Sequence, residues 1–122
     1  MDEQKLVTWG EVTDFIVAAS NHFSNEHVSG VYGLPRGGLV LAVMLSHAMK
    51  VPLLMAPAEG CLIVDDICDS GESLLHYVRN TSGDGERKYS ITTMYHKEGA
   101  SVTPDFYFRH KFNAWVKFPW EL

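Results

Sequence analysis

Asp65 and Asp66 stand side by side at the end of an apolar run, Cys61-Leu62-Ile63-Val64, and after Ile67 and Cys68 comes Asp69-Ser70-Gly71-Glu72-Ser73. A continuous apolar stretch of this kind suits a central parallel strand buried on both faces. Such a strand delivers the two acids to its carboxyl end, the edge at which ligands bind in open α/β sheets. The turn at Asp69-Ser70-Gly71 then opens a helix. Free N–H groups at its start, a glycine for close approach and the Ser70 and Ser73 hydroxyls suit a phosphate. Adjacent carboxylates suit Mg²⁺ or the hydroxyls of a sugar. Phosphate and diol sites this close imply a phosphorylated sugar. The same residue types also suit a strand ending in solvated acids before an ordinary helix cap, and the pattern alone leaves both readings open.

The elements around this segment alternate. Thr8-Trp9-Gly10-Glu11 has capping-box spacing, with the Thr8 hydroxyl and the Glu11 carboxylate able to satisfy free N–H groups. Val12, Phe15, Ile16, Ala19 and Phe23 follow at helical spacing, which predicts an amphipathic helix over 9–23. Residues 29–34 are predicted as a buried strand, Pro35-Arg36-Gly37-Gly38 as a turn, and 39–49 as a helix packed on a sheet. Strands are expected at 51–55, 61–65, 90–95 and 105–109, with a short connection at 56–60, a helix over 71–80 and a loop at 81–85. The tail carries aromatics at Trp115, Phe118 and Trp120. This alternation predicts one α/β domain over 1–122 with a largely parallel sheet.

Composition excludes several classes. With 122 residues and a net charge of −5, the chain lacks the clustered cations that nucleic acid demands. Cys61 and Cys68 fit neither a disulfide scaffold nor a zinc site, and buried free thiols are expected. No two of the six histidines have the spacing of a helical metal site. No basic stretch followed by an apolar one opens the chain, and the apolar run Leu39–Leu45 is too short for a bilayer. A soluble, cytoplasmic protein without membrane contact is expected.

The string hydrophobic strand, then Asp65-Asp66-x-x-Asp69-Ser70-Gly71-x-Ser73, resembles the 5-phosphoribosyl-1-pyrophosphate (PRPP) motif of type I phosphoribosyltransferases. The resemblance implies a three-layer α/β fold with a mostly parallel central sheet and a reduced hood. By it, Asp65 and Asp66 face the ribose hydroxyls and help hold Mg²⁺, Asp69 lies near the reacting anomeric carbon and the purine, and Asp69, Ser70, Gly71, Glu72 and Ser73 wrap the 5′-phosphate. Ser73 stands where threonine is commoner, which keeps the hydroxyl. Gly33-Leu34-Pro35-Arg36-Gly37-Gly38 looks like the family's pyrophosphate loop, in which Arg36 brings charge and Gly37 and Gly38 bring backbone N–H groups. The family often holds the peptide before the basic residue in cis, here Pro35–Arg36. Apart from the resemblance, the glycines also permit a plain tight turn with a solvated arginine.

The start Lys5-Leu6-Val7-Thr8-Trp9 and the end Trp115-Val116-Lys117-Phe118-Pro119-Trp120-Glu121 look like the bacterial xanthine-guanine phosphoribosyltransferase group. That likeness implies a purine site. Lys97 would meet an exocyclic oxygen, Trp115 would stack on the base, backbone near Val116 and Glu121 would contact its edge, and Trp120 would seal the core. Active members carry a long flexible loop before the strand of the acid pair, where this chain has only 56–60. Two functions are therefore implied. One is a Mg²⁺-dependent transferase joining PRPP and a 6-oxopurine (guanine, xanthine or hypoxanthine) into a nucleoside 5′-monophosphate and pyrophosphate. The other is a weak or inactive PRPP- or nucleotide-binding module without its lid. A homo-oligomer, dimer or tetramer, is the expected state.

Overall fold

The computed structural model describes residues 4–79 and 85–121, so all but the last residue of the expected 81–85 loop lies outside the described residues. β1 (Gln4–Leu6) leads into α1 (Trp9–His22), followed by β2 (Val31–Gly33), α2 (Gly37–Met49), β3 (Leu62–Cys68), α3 (Glu72–Arg79), β4 (Ser90–Lys97), β5 (Phe106–Lys111) and β6 (Trp115–Lys117). Thr8 caps α1 as expected, its hydroxyl accepting from the Glu11 N–H at 3.1 Å. The reciprocal half of the capping box is not made. Glu11 turns instead to the ammonium of Lys5 at 3.2 Å, a charge-assisted partner.

β2-β3-β4-β5 form one sheet in that order, every pair parallel, and β1 and β6 form a separate parallel pair. Alternation along β3 assigns its two faces. Leu62 and Val64 pack with Val12, Phe15, Leu41 and Leu45 of α1 and α2. Cys61 and Ile63 pack with Leu74 of α3 and with Ile91 and Val102. Helices thus cover both faces, giving three layers. Both cysteines are free and buried, as expected.

Two expectations need correction. Residues 51–55 do not form a strand: only Leu53 bridges Val31. Pro52 has no N–H to give and contributes its carbonyl alone, accepting from Val31 at 2.9 Å. β3 also runs three residues past Asp65, so the acid pair lies within the strand rather than at its end. The β1–β6 pair was not foreseen as strands. Among the described residues no helix is long and apolar enough to cross a membrane.

Candidate ligand site

The sheet reverses its direction of growth between β2 and β3. The Leu53 bridge lies on one side of β2, and β3, β4 and β5 lie on the other. A reversal sends successive helices to opposite faces, which opens a crevice at the carboxyl ends of the two strands at the switch. Both loops singled out from the sequence fall there: residues 34–37 follow β2, and Asp65 to Ser73 end β3 and enter α3.

The two loops are in contact. A Cβ on Gly37 would collide with Asp66 Oδ2, and one on Gly38 with the Val64 carbonyl. Only glycine lets the α2 start lie directly on β3. The Pro35–Arg36 peptide is cis. Gly38 donates its N–H to the Leu34 carbonyl at 2.9 Å, whereas no carbonyl among the described residues takes that of Gly37. Arg36 is exposed and has no carboxylate partner among the described residues. Pro35, Arg36, Gly37, Asp65, Asp66 and Trp120 line a cleft of about 810 Å³, with Val40 and Glu121 completing it. Within it, burial and then the neighbouring Asp66 charge push the Asp65 carboxyl up to about 8. A cation or a set of hydroxyl donors would relieve that pair. Among the described residues no three His, Cys, Asp or Glu converge as a complete metal site. The acid pair nonetheless fits Mg²⁺, which is commonly held by one or two carboxylates, water and the phosphates of a substrate.

The turn into α3 is braced from behind. Gly71 has φ +88°, and a Cβ there would come within 2.7 Å of Ser101 Oγ and 2.8 Å of the Val102 nitrogen. The Ser70 carbonyl accepts from Ser101 twice, from the N–H at 2.8 Å and the hydroxyl at 2.9 Å. Cys68 donates its thiol to the Val102 carbonyl at 3.3 Å. The segment after β4 therefore straps the turn in place. The Ser70 hydroxyl accepts from the Glu72 N–H at 3.3 Å, and the Gly71 carbonyl accepts from the N–H groups of Leu74 and Leu75 at 3.2 and 3.0 Å.

A second, smaller cavity of about 210 Å³ adjoins the first, with Asp66 and Glu121 lining both. Ile67, Asp69, Lys111, Trp115, Val116 and Phe118 complete it. Trp115 is 68% exposed at its rim. Val116 is buried in the β1–β6 pair, and Glu121 Oε1 accepts from the Phe118 N–H at 2.9 Å. Trp120 stacks on Phe118 at 4.8 Å and lines the larger cleft, so it belongs to the site wall as well as to the packing. Lys97 is not part of the cavity lining but reaches Asp69 Oδ1 at 3.7 Å. Lys111 lies 3.9 Å from the same oxygen. The sequence reading ended β5 at 109 and so passed over Lys111, and it assigned nothing to Ser101.

A parallel sheet covered on both faces, with an acid pair on β3, a glycine loop after β2 and a serine turn into α3, is the layout of type I phosphoribosyltransferases. The xanthine-guanine phosphoribosyltransferase of Vibrio parahaemolyticus is 22% identical over 145 aligned residues, covering 100% of this chain and 92% of its own. That of Idiomarina loihiensis is 24% identical over 123 residues, covering 80% and 73%. A purine phosphoribosyltransferase from Pyrococcus horikoshii has a TM-score of 0.83 at 26% identity, covering 98% of this chain and 95% of that one. The xanthine-guanine-hypoxanthine phosphoribosyltransferase of Helicobacter pylori shares the fold, with a TM-score of 0.80 at 17% identity and the same coverage. No family model matches. The chain has the fold of type I phosphoribosyltransferases, and xanthine-guanine phosphoribosyltransferases are among the proteins it is similar to.

Proposed function

We propose that the chain transfers the phosphoribosyl group of PRPP to a 6-oxopurine, guanine, xanthine or hypoxanthine, giving a nucleoside 5′-monophosphate and pyrophosphate. The observation that carries this reading is the pair of adjoining cavities with Asp66 and Glu121 in common, one lined by acids, Arg36 and Gly37, the other by Asp69, Lys111 and Trp115. That is the order in which pyrophosphate, ribose and base follow one another in the reactants.

In this reading Arg36 and the Gly37 N–H bind the pyrophosphate and stabilise its charge as it leaves. Asp65 and Asp66 accept from the ribose hydroxyls, and their negative charge favours the electron-poor sugar formed as the bond to pyrophosphate lengthens. Mg²⁺, held by this pair together with the substrate, would supply charge neutralisation at the pyrophosphate. The turn at 70–73 takes the 5′-phosphate, and Asp69 assists at the purine nitrogen. Lys97, next to Asp69, meets an exocyclic oxygen of the base, Trp115 gives a stacking face, and the backbone near Val116 and Glu121 meets the base edge.

A binding protein with slow turnover is the second reading, and the connection into β3 favours it. Residues 56–60 are tied down: Gly60 donates to the Lys88 carbonyl at 2.8 Å and Cys61 to the Ala58 carbonyl at 3.0 Å. A segment that short cannot fold over the cleft to exclude water. Incubation with PRPP, Mg²⁺ and each purine in turn, followed by separation of nucleotides and a pyrophosphate assay, tests the choice. Nucleotide formed with an oxopurine supports transfer. PRPP binding without product from any base refutes transfer and leaves the binding reading.

A further inference from the structure

Beyond the two cavities of the cleft, a further one of about 230 Å³ opens between the carboxyl end of the sheet and the β1–β6 pair. Two sets of register partners wall it: Tyr95 with Arg109 on the sheet, and Lys5 with Val116 on the smaller pair. Phe112 and Ala114, from the connection between β5 and β6, help to complete it. Its walls are mainly apolar, and its charged members are Lys5, Arg109 and Lys111, with His110 beside them. Among the described residues no acid lines it, in a chain whose net charge is −5.

Nearby carboxylates hold two of these cations and leave the third. Lys5 is bonded to Glu11 at 3.2 Å, and Lys111 stands 3.9 Å from Asp69. Arg109 lies over the Phe108 ring at 4.7 Å and has no carboxylate partner among the described residues. A second observation comes from the floor of the cavity. Tyr95 is only 3% exposed, yet its hydroxyl has no hydrogen-bond partner among the described residues. The charges of Glu11 and Arg109 both act on that hydroxyl, which places it at the Arg109 end. A buried hydroxyl left without a partner is costly, and it calls for an acceptor or a water.

We propose that this cavity binds a small organic carboxylate with an apolar body, such as a single aromatic ring. The carboxylate bonds the Arg109 guanidinium and accepts from the Tyr95 hydroxyl, and the ring lies against Val116 and Phe112. A guanidinium suits this group because it can donate two parallel hydrogen bonds to a carboxylate. The volume falls below the roughly 300–1,000 Å³ of sites for drug-sized ligands, so it suits one ring rather than a nucleotide. Lys111 and Val116 also line the cavity beside Trp115, so an occupant touches a wall that both share. The inference does not depend on what that neighbouring cavity takes.

Calorimetric titration of the full chain with benzoate, benzamide and acetate tests this. Benzoate should bind with a Kd of about 1 mM or tighter. It should bind about tenfold or more tightly than the other two, since benzamide lacks the charge and acetate the ring. Arg109→Gln should bring benzoate and benzamide within about threefold of each other. Tyr95→Phe should weaken benzoate about fivefold while the urea midpoint holds or rises, because it removes an unpartnered hydroxyl and keeps the ring. A packing role for Tyr95 would not lower affinity without lowering stability. Benzoate bound no better than acetate, or a preference over benzamide that survives Arg109→Gln, overturns the inference. So does an affinity unchanged in Tyr95→Phe, which leaves the hydroxyl to a trapped water. Benzoate binding lost in Trp115→Ala and kept in Arg109→Gln puts the ligand in the neighbouring cavity and overturns it as well. No benzoate binding by a chain that still binds ribose 5-phosphate overturns the inference and leaves the proposed function standing.

Discussion

Gly71 and Gly99 form a natural pair of probes for the strap behind the turn into α3. Both have positive φ, +88° and +91°, so alanine at either position pays the left-handed backbone cost, roughly 1–2 kcal/mol. Beyond that they part. A Cβ at Gly99 meets nothing within 4 Å, while one at Gly71 meets Ser101 Oγ at 2.7 Å and the backbone nitrogen of Val102 at 2.8 Å. The serine hydroxyl can rotate away, but the Val102 nitrogen is backbone. Its neighbours hold it, because the Val102 carbonyl also accepts from Cys68 and contacts His96 Nε2 at 3.2 Å. Such overpacking adds roughly 1–3 kcal/mol.

Gly99→Ala should therefore cost about 1–2 kcal/mol and Gly71→Ala about 2–5 kcal/mol in urea unfolding. The functional contrast should be sharper. In Gly71→Ala the turn at 70–73 must move off the strap, and ribose 5-phosphate affinity should fall by about tenfold or more, since phosphate capture depends on the placement of the N–H groups. Gly99→Ala should bind it within about twofold of wild type, as expected for a substitution outside the site. Equal destabilisation by the two substitutions, with phosphate affinity unchanged in both, would refute the claim that the strap positions the turn.

Asp65 predicts a pH dependence. Because its folded pKa is raised from 3.8 to about 8, the folded protein binds a proton there that the unfolded chain has released, so the stability it contributes falls as pH climbs from 3.8 towards 8. The melting temperature of Asp65→Asn relative to wild type should accordingly rise between pH 5 and pH 8, and a constant difference would contradict the buried-pair argument. Arg36→Gln should weaken PRPP binding by about tenfold and flatten its dependence on salt, as measured by titration at two ionic strengths. Trp115→Ala should change unfolding free energy by less than about 1 kcal/mol yet weaken nucleotide binding by about tenfold, because the ring is exposed at the rim of the small cavity. Asp69→Asn should abolish transfer while PRPP binding survives, and parallel loss of both in product and calorimetric assays would remove Asp69 from the chemistry.

The parts of this molecule that were legible in the sequence are those whose signal is local. The apolar run at 61–64, the Thr8 cap and the spacing of Val12, Phe15, Ile16 and Ala19 each specify an element without reference to the rest of the chain. The turn into α3 was legible for the same reason, since Gly71 and the serines around it are contiguous. What escaped depends on pairing across the sheet. β1 and β6 are three residues each and become strands only because opposite ends of the chain meet. Residues 51–55 have strand-like composition, but at the outer side of β2 only Leu53 pairs. Lys111 ends a strand whose last residues, Arg109, His110 and Lys111, look like a solvated exit. Its significance comes from register: pairing Lys97 with Lys111, and Cys68 with His96, brings the ends of β3, β4 and β5 level, so that Asp69 meets both ammonium groups. A motif can supply the serine turn into α3 in one contiguous stretch, but the charge around Asp69 is assembled from three strand ends, and only the sheet brings them together.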